Sequence, residues 1–596
     1  MERYRLTDTR ALVDCAMGRI PADLLIRDGN WVCVQSGEVI PHTDIAVLGQ
    51  RIAAIGPNLR QCLGPETRVI EAGGRYLAPG LLDGHMHVES GMLTVAEFVR
   101  VVLPRGTTGI FIDPHEIANV LGLRGVRLFV DEAALQPIHV FVQIPSCVPS
   151  APGLETGGAR LGPDEVREAL SWPGVIGLGE MMNYPGVAYC DEDVHAKLEA
   201  ARRAGKVIGG HYPTPDLGMD FLGYAAGGAM DDHEGTRAED AAARVRQGMR
   251  AMLRYGSAWH DVAEQVRAVT EQHLDPRRFI LCTDDSHSAT LVQEGHMDRV
   301  VRHAVAQGLA PLTALQMATL NTAEHFGLSA ELGMLAPGRY ADILVLPDLI
   351  QMRPDLVVAR GQIAAEGGRL LAEIPNLDYP EWAVQSVHLK RRLKASDFRL
   401  PAPAAGEVTA NVIGVIENQA PTRHLRLAMP VLKGEVRADL DRDIAKAALV
   451  ERHRASGDIT VGLAHGFGFD CPCGVASTVA HDSHQMIVIG TDESDMAMAA
   501  NRLAEIGGGQ VVARRGKILG EVALPIAGLV SDRPAEEVAR KAQTVLDVLR
   551  ACGCQMNNPN MQISLLALVV IPELRLSDRG LVDVNRFDVI DVLDVG

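Results

Sequence analysis

The sequence has too little positive charge to grip a polyanion. Lysine and arginine total 57 against 75 aspartates and glutamates, a formal net charge of −18. Phosphates are held by clustered positive charge, so neither a nucleic-acid backbone nor an anionic membrane is expected as a partner. A small neutral ligand is compatible with the balance. Long apolar runs are also missing. "ISLLALVVI" (563–571) stops at Pro572 and falls well short of the roughly 20 residues that cross a bilayer. The first twenty residues, "MERYRLTDTRALVDCAMGRI", scatter charges and contain no apolar signal core. Cysteine is sparse, ten in 596 residues, and reads as reduced thiol in a cytoplasmic chain. The pairs Cys471/Cys473 and Cys552/Cys554 lack the usual gap of structural zinc sites, so no four-cysteine zinc site is expected. There is no low-complexity tail, and no long internal repeat beyond the alternation described next.

What is present is a globular composition, 47% hydrophobic and 22% charged, in a chain too long for one ordinary core. Short β-like runs separated by glycine fill residues 30–78: "WVCVQ", "DIAVLGQRIAAIG" and "TRVIEAGGRYLAPG". From about 80 to 330 the pattern changes. Eight apolar runs alternate with helix-length amphipathic segments: the run ending at His85, then "TTGIFID", "IHVFVQI", "GVIGLGE", "KVIGGHY", "GGAMDDHE", "RAMLRYG" and "RFILCTDD". Eight βα alternations over about 250 residues predict a (β/α)8 TIM barrel, an α/β fold. Short strands return at 332–375, and a further α+β region follows a proline-containing stretch near 390–406. The expected organisation is therefore 1–79 as an N-terminal extension and the first part of a small β-sandwich, 80–331 as the barrel, 332–390 as the second part of the sandwich, and 391–596 as a C-terminal α+β domain. In that last region Val538, Ala542, Val545 and Leu549 recur at helical period, with Ser531 or Asp532 before them and Gly553 after. Met496, Leu503 and Ile506 form a second stripe ending at Gly507, where methionine reads as core filling.

In a βα barrel, chemistry collects where strands end. "LLDGHMHVES" (81–90) ends its run with His85 and His87, two apart and so on one face of a strand. The fourth run ends in Glu180, the fifth in His211, the sixth in His233 and the eighth in Asp284. A single strand-end histidine is ordinarily just hydrogen-bonded, but six such groups at one level of the fold point to metal. Four imidazoles and two carboxylates suit Mn, Fe, Zn or Co rather than calcium. Six ligands exceed what one open ion takes; with one carboxylate bridging, they suit two ions sharing a hydroxide.

"PGLLDGHMHVES", the ordered Glu180, His211 and His233, "CTDDSH", "NTAEHFGL" and "LAPGRYADILVL" resemble the amidohydrolase superfamily. Most binuclear members carry a carbamylated lysine at the end of the fourth strand, where this sequence has Glu180. That departure, with "DPHEIANV", "GLGEMMNYPGV" and the C-terminal "NNPNMQISLLALVVIPELRLSDRGLVDV", resembles the adenine deaminases over about residues 30–596. The resemblance implies that His85, His87 and Asp284 bind one metal, that His211 and His233 bind the other, and that Glu180 bridges them. It implies Mn or Fe at the centre, with Zn as an alternative, a homo-oligomer (a dimer), and purine salvage in the cytoplasm.

The expected reaction is hydrolytic deamination of adenine to hypoxanthine and ammonia, with a metal-bridged hydroxide attacking C6. Asp284 is the expected base, passing its proton to the departing ammonia. The ring nitrogen beside C6 needs a proton, and Glu180, His115, Glu116 and Glu89 are the groups that could supply it, Glu89 and His115 first. Glu89, Asp285 and Ser286 are expected to contact the substrate. For "HDSHQMIVIG", with His481, Asp482 and His484, a folded turn at a domain interface is favoured over a loop closing on the barrel mouth. Two rival readings stay open. One is an amidohydrolase acting on a cyclic amide or another amino-heterocycle. The other is a barrel kept as an interaction scaffold, which the retention of all six ligands opposes. A nucleic-acid deaminase is opposed by the charge and by the missing His-x-Glu…Pro-Cys-x-x-Cys signature.

Overall fold

The computed structural model describes residues 9–402, 406–417 and 419–594; residues 1–8 of the N-terminal extension and 403–405 of the proline-containing stretch lie outside them. Each of the eight apolar runs is a strand: β1 Leu81–His87, β2 Thr107–Ile112, β3 His139–Ile144, β4 Val175–Met181, β5 Val207–Gly210, β6 Asp231–Asp232, β7 Arg250–Arg254 and β8 Phe279–Cys282. β1 to β5 pair in chain order, all parallel. β6, β7 and β8 form a second parallel ladder. Two links join the ladders into a TIM-barrel-like ring. The Met230 N–H donates to the Ile208 carbonyl at 2.9 Å, and the extension of β8 at Asp284–Asp285 pairs with Met86 and His87 of β1. Asp83, buried within β1, secures that second seam by accepting from the Thr283 N–H at 3.0 Å and from its hydroxyl.

The strands read as near-continuous apolar runs because both of their faces are covered. Leu82, Phe111, Ile176, Met252 and Ile280 fill the ring's interior away from the strand ends that carry the acidic and histidine residues, with Phe111 stacked on Phe326 at 3.9 Å between centroids. The surrounding helices pack on the outer faces.

The runs at 24–79 join those at 343–370 in one nine-stranded mixed sheet. The strands after the barrel thus complete the small sheet begun before it. The strand Leu24–Cys33 breaks register twice and pairs with three neighbours, so a single sheet folds over its own core of Leu24, Ile45, Val47, Ile343, Val345 and Val358.

The C-terminal region holds an eleven-stranded sheet covered by helices and a three-stranded sheet built from Leu574–Ser577, Gly580–Asp583 and Asp588–Ile590. We label four helices of the molecule: α1 His115–Leu121, α2 Glu493–Glu505, α3 Ala535–Ala551 and α4 Pro559–Leu565. Met496 and Leu503 of α2 and Val538, Val545 and Leu549 of α3 are buried. α3 begins at Ala535 after Pro534, not at Ser531 or Asp532. Ser531 instead joins the barrel side: its N–H donates to the Met92 carbonyl at 3.0 Å and its carbonyl accepts from the Thr94 N–H at 3.2 Å. All ten cysteines are free, and none of them belongs to a candidate metal group among the described residues. No helix among those residues is long and apolar enough to cross a membrane.

Candidate metal centre

All six strand-end residues converge. Glu180 is the hub: its carboxylate lies 2.8 Å from His211 Nδ1, 3.1 Å from His233 Nε2, and 3.8 Å from both His85 Nε2 and His87 Nε2. Asp284 Oδ1 stands 3.3 Å from His87 Nε2 and 3.8 Å from His85 Nε2. His85 and His233 stack with centroids 4.0 Å apart. Three overlapping triads bring their donor atoms within 4.8 Å of one another: His85/His87/Glu180, His85/His233/Asp284 and Glu180/His211/His233.

Local structure explains why these side chains meet. His87 is oriented by its Nδ1, 2.8 Å from the Asp113 carbonyl. The Glu180 N–H donates to Asp113 Oδ2 at 2.8 Å. That contact needs Gly179, because a Cβ there would stand 2.1 Å from the same carboxylate oxygen. Arg254, at the end of β7, donates to Asp284 Oδ2 at 2.9 Å and to Asp261 at 2.7 Å, and it is paired with Glu234. Burial alone would raise the Glu234 carboxyl, but Arg254, His211 and His233 outweigh it and hold it at about 2. Sequence reasoning missed Arg254, Glu234 and Asp113. The strand-end rule that found the other six also points to Arg254, the last residue of β7.

The cluster fits divalent metal. Burial and the neighbouring imidazoles push His85 well below the ordinary histidine value, which keeps its nitrogen free to coordinate. His85 Nε2 is buried without a hydrogen-bond partner among the described residues, an arrangement that costs stability unless something occupies the site.

The centre opens into a cavity of about 540 Å³. Its barrel walls include Met182, Trp259 and Asp285, and the C-terminal region roofs it with Gln419, Leu565, Leu568 and Ile571. The apolar run 563–571 is thus partly a ceiling. His115 sits with Nδ1 3.2 Å from Glu180 Oε1, and Asp285 accepts from the Trp259 ring N–H at 3.2 Å. Glu89 lies apart, on an adjoining cavity of about 190 Å³ that shares Glu116 and His481 with the larger one. Ser286, next to Asp285, is buried. The turn at 481–484 lies at the interface with the barrel, where His481 and Asp482 also line the cavity. His481 Nε2 lies 2.9 Å from Glu116 Oε1 of α1, and Asp482 reaches within 4.0 Å of His115.

The amidohydrolase family model matches residues 76–371, and the model of the adenine deaminase C-terminal domain matches 419–588. The curated relative "Adenine deaminase 3" of Rhizobium meliloti (strain 1021) is 59% identical over 98% of this chain and 98% of its own. The chain belongs to the adenine deaminase family. An adenine deaminase of Mesorhizobium japonicum (strain LMG 29417 / CECT 9101 / MAFF 303099) is 60% identical over 98% of this chain and 96% of its own. That of Moorella thermoacetica (strain ATCC 39073 / JCM 9320) remains 50% identical over 98% of both. Membership makes the protein a metal-dependent hydrolase acting on C–N bonds.

Proposed function

We propose that this chain deaminates adenine to hypoxanthine and ammonia, in purine salvage. The observation that carries the reading is the near-complete coverage at 59% identity with an adenine deaminase. The cavity beside the six-residue cluster agrees with it, since its apolar walls suit a flat heteroaromatic ring.

His85, His87, Glu180, His211, His233 and Asp284 would hold two divalent ions, Glu180 shared between them. When bound, such ions lower the pKa of water toward neutrality and so supply a nucleophile. The mixed nitrogen and oxygen donor set suits Mn or Fe, and also Zn. Asp284 takes the proton of the attacking water and returns it to the amino nitrogen, which leaves C6 as ammonia. The bond from Arg254 supports that role by fixing one carboxylate oxygen while the other faces the cluster. His115, held 3.2 Å from the Glu180 carboxylate, delivers a proton to the ring nitrogen beside C6 and recovers one from the new C6 hydroxyl as ammonia leaves. Asp285 orients the base from the cavity wall, and Glu89 acts from the adjoining cavity. Ten free cysteines are in keeping with a reducing cytoplasm.

The test incubates the purified chain with adenine, cytosine, guanine and a hydantoin, following ammonia and counting metal on the same sample. Ammonia with hypoxanthine from adenine alone, at two ions per chain, is expected. Release from another of the four and not from adenine overturns the reading.

A further inference from the structure

Asp482 is a buried carboxylate on the cavity wall, with one of its two oxygens unpartnered among the described residues. Its side chain is 3% exposed, and Oδ2 has no hydrogen-bond partner among the described residues. It lines the 540 Å³ cavity with Oδ1 4.0 Å from His115 Nε2. The turn that carries it is pinned on both sides. The His481 N–H donates to Ser564 Oγ at 3.1 Å, and its Nδ1 lies 2.6 Å from the same oxygen. His453 Nε2 meets the Ser483 carbonyl at 2.8 Å, and the His484 carbonyl accepts from Arg452 Nε. Asp482 is therefore held where it is, and an unfilled buried acceptor is costly unless a ligand brings the donor.

The span from Glu180 to Asp482 runs 3.2 Å to His115, across one imidazole, then 4.0 Å. His115 thus stands between the metal cluster and Asp482 on the cavity wall, so a purine lying alongside it with its amino-bearing carbon at the cluster turns its five-membered ring toward Asp482. In the free base that ring carries an N–H. In an N9-substituted purine it carries none. Resting on the proposed adenine deamination, we propose that Asp482 accepts the five-membered-ring N–H of the substrate and so selects the free base over N9-substituted purines. The C-terminal region thereby contributes substrate discrimination to a site whose metal ligands all come from the barrel.

The test compares the holoenzyme with Asp482→Ala, using adenine as substrate and 9-methyladenine as competitive inhibitor. Losing a hydrogen bond to a charged acceptor lowers kcat/KM for adenine about 10- to 100-fold, while the inhibition constant of 9-methyladenine, which has no such N–H, stays the same or improves. Equal weakening of both ligands, the result of a purely structural role, overturns the inference, as does an unchanged kcat/KM. The wild-type enzyme supplies an independent check should the variant not fold: it binds 9-methyladenine at least 10-fold more weakly than adenine, and equal binding overturns the inference. A wild-type holoenzyme inert toward adenine instead removes the reading beneath it.

Discussion

At Asp284 the backbone stands at φ 61°, in the left-handed region that aspartate tolerates better than most side chains. Such strain persists where surrounding contacts impose it. Here they are the pairing with Met86 and the Arg254 bond to one carboxylate oxygen. Asp284→Asn keeps the shape and the φ but removes the charge that would hold metal and accept a proton. Turnover on adenine is expected to fall by orders of magnitude while the circular-dichroism spectrum is unchanged. Near-normal turnover would refute the residue's assignment as base. Residue identity and spacing suffice to nominate His85, His87, Glu180, His211, His233 and Asp284. They do not reveal Arg254's triple engagement, which leaves no periodic or compositional trace.

Among the secondary-structure elements, the strands are the most legible. A parallel strand buried on both faces must be apolar throughout, so each announces itself as a short run ending abruptly in polar residues. Helix stripes are nearly as plain, although the start of α3 shows the limit. Ser531 and Asp532 have the chemistry of N-caps, yet Ser531 bonds to the barrel segment at Met92–Thr94 and the helix begins beyond Pro534. Leu549, fully buried in α3, is a test of that packing. Leu549→Ala is expected to cost about 2–5 kcal/mol, read as an earlier unfolding midpoint in denaturant. With the metal-bearing barrel strands untouched, metal content at low denaturant stays at the wild-type value. A cost below the lower bound would mean the α3 face is loosely packed.

For the molecule as a whole, the junction between barrel and C-terminal region contributes to the response to pH. Glu155 is buried there, accepting from Ser150 Oγ at 2.8 Å and the Ala151 N–H at 3.0 Å. Its neighbour Thr156 accepts through its carbonyl from Gln485 Nε2 at 2.7 Å. Burial, then the charge of Asp482, raises the Glu155 carboxyl from 4.5 to about 7. Between those values the folded chain keeps a proton that the unfolded chain has released. This contribution is therefore complete below about 4.5 and is lost as pH rises through about 7. The apparent melting temperature should fall over that window, and Glu155→Gln should flatten the fall. An identical slope in the variant would assign the pH dependence elsewhere.

Composition and periodicity by themselves determine a great deal of this protein: the eight strands, the buried helix faces and the six residues at the strand ends. Each of these follows from local rules of solubility, alternation and burial, and such rules are written along the chain. Tertiary structure alone decides that one small sheet folds on itself, that Arg254 braces Asp284, and that the 481–484 turn closes over the barrel mouth. These contacts join residues as far as 365 positions apart, and the loop geometry that brings them together has no periodic signature.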